Sequence, residues 1–154
     1  MASVLSAINV TKQFGGLTAV NALNLEIAEN SISSVIGPNG AGKTTFFNCV
    51  IGFYTPEHGE IKYKDNRIDG LRPDQVTQMG ISRTYQNIRL FSNLTALENI
   101  MVGYDPHLKT GWLDAVLRTK RYHDDEKAAH EEALKLLRFV GLAGSGDLIA
   151  RNLP

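Results

Sequence analysis

The chain is 154 residues long, the size of one ordinary domain, and 43% hydrophobic with 21% charged residues is the balance of a globular protein that buries a core. Sixteen basic and sixteen acidic residues cancel, which removes any net-charge argument for wrapping nucleic acid or lying on anionic lipid. A lone Cys49 excludes a disulfide framework and a Cys-based zinc site, and no run approaches the ~18 apolar residues of a spanning helix or resembles a secretory leader, so a cytoplasmic chain is expected.

Apolar and polar residues alternate loosely from Val4 to Thr11 and cleanly from Leu23 to Ile27, which predicts two half-buried antiparallel strands with a turn at Gly15-Gly16. Ser31 to Ile36 is short and β-branched and predicts a buried strand. Thr45 to Ile51 predicts a helix closed by Gly52. Glu60 to Tyr63 and Arg67-Ile68 form a hairpin pattern around Lys64-Asp65-Asn66. Pro73 opens a helix that Gly80 ends, and Ile81 to Tyr85 predicts one more strand. Thr95 and Glu98 have capping-box spacing, so a helix starts there, and Asp105-Pro106 breaks it. The rest predicts helix, most clearly from Asp124 to Val140, with Ala129, Ala133, Leu136 or Leu137, and Val140 on its apolar face and Gly141 as the stop. The mixed charges from Arg118 to Lys127 predict a solvated helical connection. His58, His107, His123 and His130 share no metal-ligand spacing.

One stretch dictates a chemistry. Gly37-Pro38-Asn39-Gly40-Ala41-Gly42-Lys43-Thr44 is a complete G-x-x-x-x-G-K-[ST] phosphate-binding loop, set between the predicted strand and the predicted helix as that motif requires. Gly37, Gly40 and Gly42 permit left-handed backbone and remove side chains that would block close approach, so successive N–H groups can face phosphate oxygens. An anion then sits at a helix N-terminus, where orphan N–H groups and the helix dipole favour negative charge. On this pattern Lys43 reaches the β- and γ-phosphates, Thr44 gives its hydroxyl to Mg²⁺, and Thr45 adds a hydroxyl bond near the α-phosphate; Asn39 and Ala41 complete the cradle.

Together with Phe14 to Val20 (Phe-Gly-Gly-Leu-Thr-Ala-Val) and Arg83 to Phe91 (Arg-Thr-Tyr-Gln-Asn-Ile-Arg-Leu-Phe), this loop resembles the ATP-binding subunit of ATP-binding-cassette transporters, in particular the branched-chain amino-acid importer branch. A helical insert from Leu108 to about Lys127 is also similar to that branch. The resemblance covers essentially the whole chain. It implies an α/β fold: a P-loop NTPase core of the cassette type with an antiparallel β subdomain and part of a helical subdomain. Residues 1–30 with 58–70 match the β subdomain, 31–57 and 71–86 part of the core, and 87–154 the Q-loop and part of the helical subdomain.

The resemblance further implies that Phe14 stacks on adenine, with Phe in place of the family's usual Tyr, and that Val20 lies beneath base and ribose. Gln86 matches the Q-loop glutamine, which meets Mg²⁺ and orients the attacking water. Leu90, Phe91 and Leu94 match the surface that meets membrane permease subunits, so they are expected as docking surface, with core packing as the competing reading of three apolar side chains. ATP and Mg²⁺ are the implied cofactors. Partners are the permease subunits and a second ATP-binding subunit, with a peripheral position on the inner face of the cell membrane, no nucleic acid and no direct membrane insertion.

Other motifs of the family are absent. Phosphoryl transfer needs an acidic residue at the end of a buried strand to hold Mg²⁺, and the family adds a Glu beside it. The only apolar run ending in Asp, Ile100 to Asp105, lies inside the helix opened by Thr95. The LSGGQ-type signature, D-loop and switch histidine are also missing, and Leu153-Pro154 aligns with the opening of the signature. The expectation is therefore the N-terminal portion of a cassette subunit, marginal in stability, weak in Mg²⁺-ATP binding and negligible in hydrolysis alone. A small self-contained P-loop kinase and a non-catalytic remnant are the alternatives.

Overall fold

The computed structural model describes residues 3–85, 89–108 and 110–153. These form two compact units, Met1–Arg83 and Thr84–Pro154.

The first unit is built on β1 (Ser3–Phe14) and β2 (Leu17–Ala28), joined by the Gly15-Gly16 turn and paired antiparallel from Leu5↔Ile27 to Phe14↔Leu17. The ladder is interrupted near Asn9 and Ala22, both of which adopt positive φ. Side chains take over the ladder's work there. The Asn9 N–H donates to Asn24 Oδ1 at 2.9 Å, and the Ala22 N–H donates to the buried Thr11 hydroxyl at 3.0 Å.

The helix α1 (Lys43–Val50) ends with Ile51 as its cap and Gly52 at φ +81°, as its sequence predicts. β3 (His58–Tyr63) and β4 (Asn66–Arg67) follow, and Lys64-Asp65, both left-handed, make a two-residue hairpin loop. The sheet order is β2-β1-β3-β4, antiparallel throughout. Asp69 locks the hairpin by accepting from the Ile61 N–H at 2.9 Å and from the Arg67 guanidinium at 2.8 Å. α2 (Pro73–Gln78) begins at Pro73, with the Gln75 side chain accepting from the Arg72 N–H, and Gly80 follows its end at φ +96°.

Sheet and α1 share one core. Ala7, Val10, Val20 and Ile61 from the strands meet Phe46, Cys49 and Val50 from α1, with Ile68 beside them. The alternation in the strands and the i, i+3, i+4 spacing of Phe46, Cys49 and Val50 bring these residues to one side. Each fully buried large side chain contributes about 1.5–3 kcal/mol through loss of apolar contact with water.

Two predicted strands are not formed. Residues 31–36 carry no ladder, with Ile32 and Ile36 at 101% and 93% exposure, and residues 81–85 are likewise irregular. Strand composition is a local property, but a strand exists only where its N–H and C=O groups meet a neighbour. Among the described residues neither segment has one.

In the second unit, α3 (Ala96–Tyr104) starts on the predicted capping box: the Glu98 N–H donates to Thr95 Oγ1 at 3.1 Å, and the Thr95 N–H donates to Glu98 Oε2 at 2.7 Å. A 3-10 turn, Asp105–His107, follows where Asp105-Pro106 was expected to break the helix. The run from Ile100 to Asp105 is thus helical, not a strand. A short α4 (Trp112–Leu117) precedes α5 (Lys120–Phe139), whose start lies about one turn before the predicted Asp124 because the Thr119 hydroxyl caps it, accepting from the Tyr122 N–H. Ala129, Ala133 and Leu137 are the buried face of α5, which packs on α3, whereas Leu136 and Val140 are exposed. The segment before the C-terminus returns to α3, with the Ala96 N–H donating to Leu148 O and the Ala150 N–H to Leu94 O. Among the described residues no helix is long and apolar enough to cross a membrane.

Candidate functional site

The loop from Gly37 to Gly42 leads directly into the first turn of α1. Gly40 and Gly42 stand at φ +82° and +80°, a region that costs an L-residue about 1 kcal/mol or more. Gly42 is the helix N-cap, and its Cα lies against β2 at Ala19: a β-carbon there would collide with the Ala19 carbonyl oxygen and approach the Val20 side chain to 3.3 Å. Gly40 has open space around it, so conformation alone requires glycine at that position. Gly37 has ordinary room, with Ala41 Cβ at 3.4 Å.

Lys43 opens the helix and curls back, its ammonium donating to Gly37 O at 2.6 Å and Pro38 O at 2.7 Å. Among the described residues the amides of Lys43, Thr44 and Thr45 donate to no backbone acceptor, as the geometry of a helix start dictates. Thr44 and Asn39 are exposed and Thr45 is half-buried. An anion of phosphate size beside this turn would meet unpaired N–H groups, the positive end of the α1 dipole and a lysine ammonium that is already close. The residues present therefore fit a polyphosphate. A cavity of about 260 Å³ adjoins the loop, lined among others by Ala19, Val20, Ala41, Gly42 and Lys43. Val20 is buried on this side, and Phe14 does not line the cavity.

Phe14 ends β1, half-exposed at 42%, with the ring of Tyr54 edge-on at 5.1 Å and 78°. The Lys12 ammonium stands 5.1 Å from the Phe14 ring centre and 6.0 Å from that of Tyr54. It is anchored by Thr55 O at 2.9 Å and Glu57 Oε1 at 2.7 Å. Glu57 also accepts from the Gln13 N–H at 2.6 Å, and the Lys12 and Gln13 bonds hold its carboxyl below the usual range. Sequence reading missed Tyr54, Lys12 and Glu57. Phe53-Tyr54 directly after the Gly52 stop was the available signal, an aromatic pair at a helix end with no core period to explain it.

Cys49 is fully buried on α1, and desolvation pushes its thiol up to about 11, so it is a small core hydrophobe and not a nucleophile. Arg83 donates to Asn48 Oδ1 at 2.8 Å and lies over the Phe47 ring. Gln86, the expected Q-loop glutamine, lies outside the described residues. In the second unit Leu90 and Phe91 are half-exposed, at 50% and 56%, and Leu94 is partly buried. Asn99 fixes this stretch by a reciprocal pair: the Phe91 N–H donates to Asn99 Oδ1 at 2.9 Å, and Asn99 Nδ2 donates to Phe91 O at 3.1 Å. Among the described residues no group of His, Cys, Asp and Glu could hold a metal by itself.

A glycine-cradled helix start with an attendant lysine has the form of a phosphate-binding loop, and the ABC transporter family model matches residues 20–150. The chain belongs to that family. It is 42% identical over 150 residues to the high-affinity branched-chain amino acid transport ATP-binding protein LivG of Escherichia coli K12, and 43% identical to BraF of the same description from Pseudomonas aeruginosa. Both alignments cover 97% of this chain and 59% of the relative, so the chain spans about three fifths of their length. Among solved structures it is similar to the ADP conformation of MJ1267, an ATP-binding cassette of an ABC transporter, with a TM-score of 0.78 and 27% identity over 100% of this chain and 60% of that one. The fold is therefore that of part of an ABC ATPase cassette, as the sequence motifs implied.

Proposed function

We propose that this chain supplies the phosphate loop and base platform of the ATP-binding subunit of an importer for branched-chain amino acids. The observation that carries the reading is the start of α1, which combines the amides of Lys43 to Thr45 with no backbone acceptor, the left-handed Gly40 and Gly42, and a Lys43 ammonium held on the loop carbonyls of Gly37 and Pro38. In the proposed complex the β- and γ-phosphates lie across Gly37, Asn39, Gly40, Ala41 and Gly42. Lys43 leaves its two carbonyl partners for phosphate oxygens, Thr44 gives its hydroxyl to Mg²⁺, and Thr45 bonds near the α-phosphate. Phe14 stacks on the base, which needs only a π-face, and Val20 closes the apolar wall next to the loop. Mg²⁺, when bound, neutralises charge on the phosphates. Gln86 is assigned the remaining contact to that ion and to the attacking water.

Turnover by the whole subunit is assigned to a pair of such subunits acting together. Leu90, Phe91 and Leu94 are assigned to the contact with the permease subunits, a reading supported by the exposure of Leu90 and Phe91 and by the Asn99 clamp behind them. The solute is assigned from the names of the LivG and BraF relatives.

The deciding experiment is titration of the 15N-labelled chain with Mg²⁺-ATP. The amide resonances of Gly40, Gly42 and Lys43 are expected to move, and Lys43→Ala to weaken binding by roughly tenfold to a hundredfold, as loss of a charged hydrogen bond does. Resonances that stay still in a folded sample, or wild-type affinity in Lys43→Ala, would overturn the reading. For the solute, uptake of labelled leucine by the transporter carrying this subunit that unlabelled valine and isoleucine fail to compete would overturn that part alone.

A further inference from the structure

We infer that Tyr54 is a positioning residue that registers the Phe14 ring against the phosphate loop, so that base and triphosphate are held at one fixed separation. The inference rests on the proposed stacking role of Phe14 and goes beyond it by naming what holds the ring.

The connection runs through α1. Its first turn, at Lys43 and Thr44, is the phosphate end. Near its other end the Asn48 carbonyl oxygen accepts both the Phe53 N–H at 2.9 Å and the Tyr54 N–H at 3.1 Å, so the backbone of Tyr54 is tied to the helix itself. The Tyr54 ring then reaches β1 and meets Phe14 edge-on at 5.1 Å. A helix does not stretch, so the spacing between loop and ring is set by a rigid element of about 1.5 Å per residue.

The same segment is stitched to β1 beyond Tyr54. The Glu57 N–H donates to Thr11 O at 2.9 Å, Lys12 donates to Thr55 O and to Glu57, and Glu57 receives the Gln13 N–H. The Lys12 ammonium thus held lies near both rings. An exposed phenylalanine at a strand end would otherwise sample several rotamers, and ordering it would weaken binding. Tyr54 and Lys12 order it before the base arrives. Edge-to-face pairs and cation–π contacts are of the size needed, each equivalent to roughly a fivefold change in affinity.

The test separates base from phosphate. Affinities for Mg²⁺-ATP and for Mg²⁺-tripolyphosphate are measured by calorimetry on the 154-residue chain and on Phe14→Ala, Tyr54→Ala and Tyr54→Phe. Tyr54 is 37% exposed and lies outside the hydrophobic core cluster, and near-UV circular dichroism checks that each variant is folded. Tyr54→Ala is expected to weaken ATP about fivefold, the size of one aromatic pair, while tripolyphosphate binds as before. Tyr54→Phe is expected to restore ATP affinity, since the ring edge is kept. Equal losses for both ligands would show a merely structural role and overturn the inference. So would unchanged ATP affinity in Tyr54→Ala when Phe14→Ala has lost it. If neither ligand binds the parent chain, the nucleotide reading falls and the inference with it; if tripolyphosphate binds and ATP gains nothing over it, only the base platform and its brace fall.

Discussion

Gly42 and Ala19 are in such close contact that the helix N-cap and the β2 backbone leave no room for a methyl group between them. Gly42 is therefore required twice, by its φ of +80° and by this approach, whereas Gly40 is required by conformation alone. Gly42→Ala is expected to push the loop off β2, weaken ATP at least tenfold, and lower stability by roughly 1–3 kcal/mol, the range for strained backbone positions. Gly40→Ala is expected to cost nearer ~1 kcal/mol. Calorimetric titration and urea unfolding of both variants give the comparison, and equal effects would contradict it.

Asp69 joins β3 to β4, and its side chain is only 7% exposed. Burial pushes its carboxyl up, but the Arg67 guanidinium and the Ile61 N–H more than offset that, and the net shift is below the usual range. A carboxylate lowered on folding contributes stability that is complete above its unfolded value of ~3.9 and is lost as pH falls through its folded value. Glu57 is lowered likewise by Lys12 and Gln13 and adds to the same trend. Unfolding free energy is expected to fall as pH drops below about 4, and Asp69→Asn to flatten part of that slope. A slope unchanged in Asp69→Asn would show that the carboxylate contributes no linkage.

Cys49 is the only thiol in the chain, fully buried, and raised to about 11. Iodoacetamide at pH 8 is expected to leave it unmodified in the folded chain and to alkylate it promptly in urea. Rapid native alkylation, read by mass spectrometry, would mean that the core beneath the loop opens readily.

Thr95 caps α3 through a reciprocal pair with Glu98, whose carboxyl is lowered by the Thr95 N–H and hydroxyl. Thr95→Ala is expected to destabilise the second unit by about 1 kcal/mol, the usual worth of such a cap. Thr95→Ser, which keeps the oxygen, is expected to stay close to the parent. Hydrogen exchange along α3 distinguishes the two.

Much of this was legible because it is local. The Gly37 to Thr44 pattern, the helix closed by Gly52 and the Thr95 cap each depend on residues within a few positions of one another; the hairpin was legible too, but its loop is Lys64-Asp65 and not Lys64-Asp65-Asn66, because Asn66 pairs with Tyr63 while Lys64 and Asp65 take positive φ. The helical character of Lys120 to His123 was legible, but their charges suggest a connection before a helix starting at Asp124, whereas Thr119 is a competent N-cap and brings them into α5. The strands expected at 31–36 and 81–85 failed differently, because a strand pattern states a preference and a ladder needs a neighbour.

The amino-acid sequence alone determined the glycine pattern of the loop and the helix and hairpin starts and stops around it, since steric rules for glycine, helix capping and hydrophobic period operate over a few residues. Tertiary structure decided the rest: Ala19 against Gly42, Tyr54 against Phe14, Asn48 holding the Phe53-Tyr54 backbone, and Asn99 holding Phe91. Except for the short bond from Asn48, these contacts join residues that chain closure brings together, and no spacing in the sequence records which side chains will meet once the sheet and helices have packed.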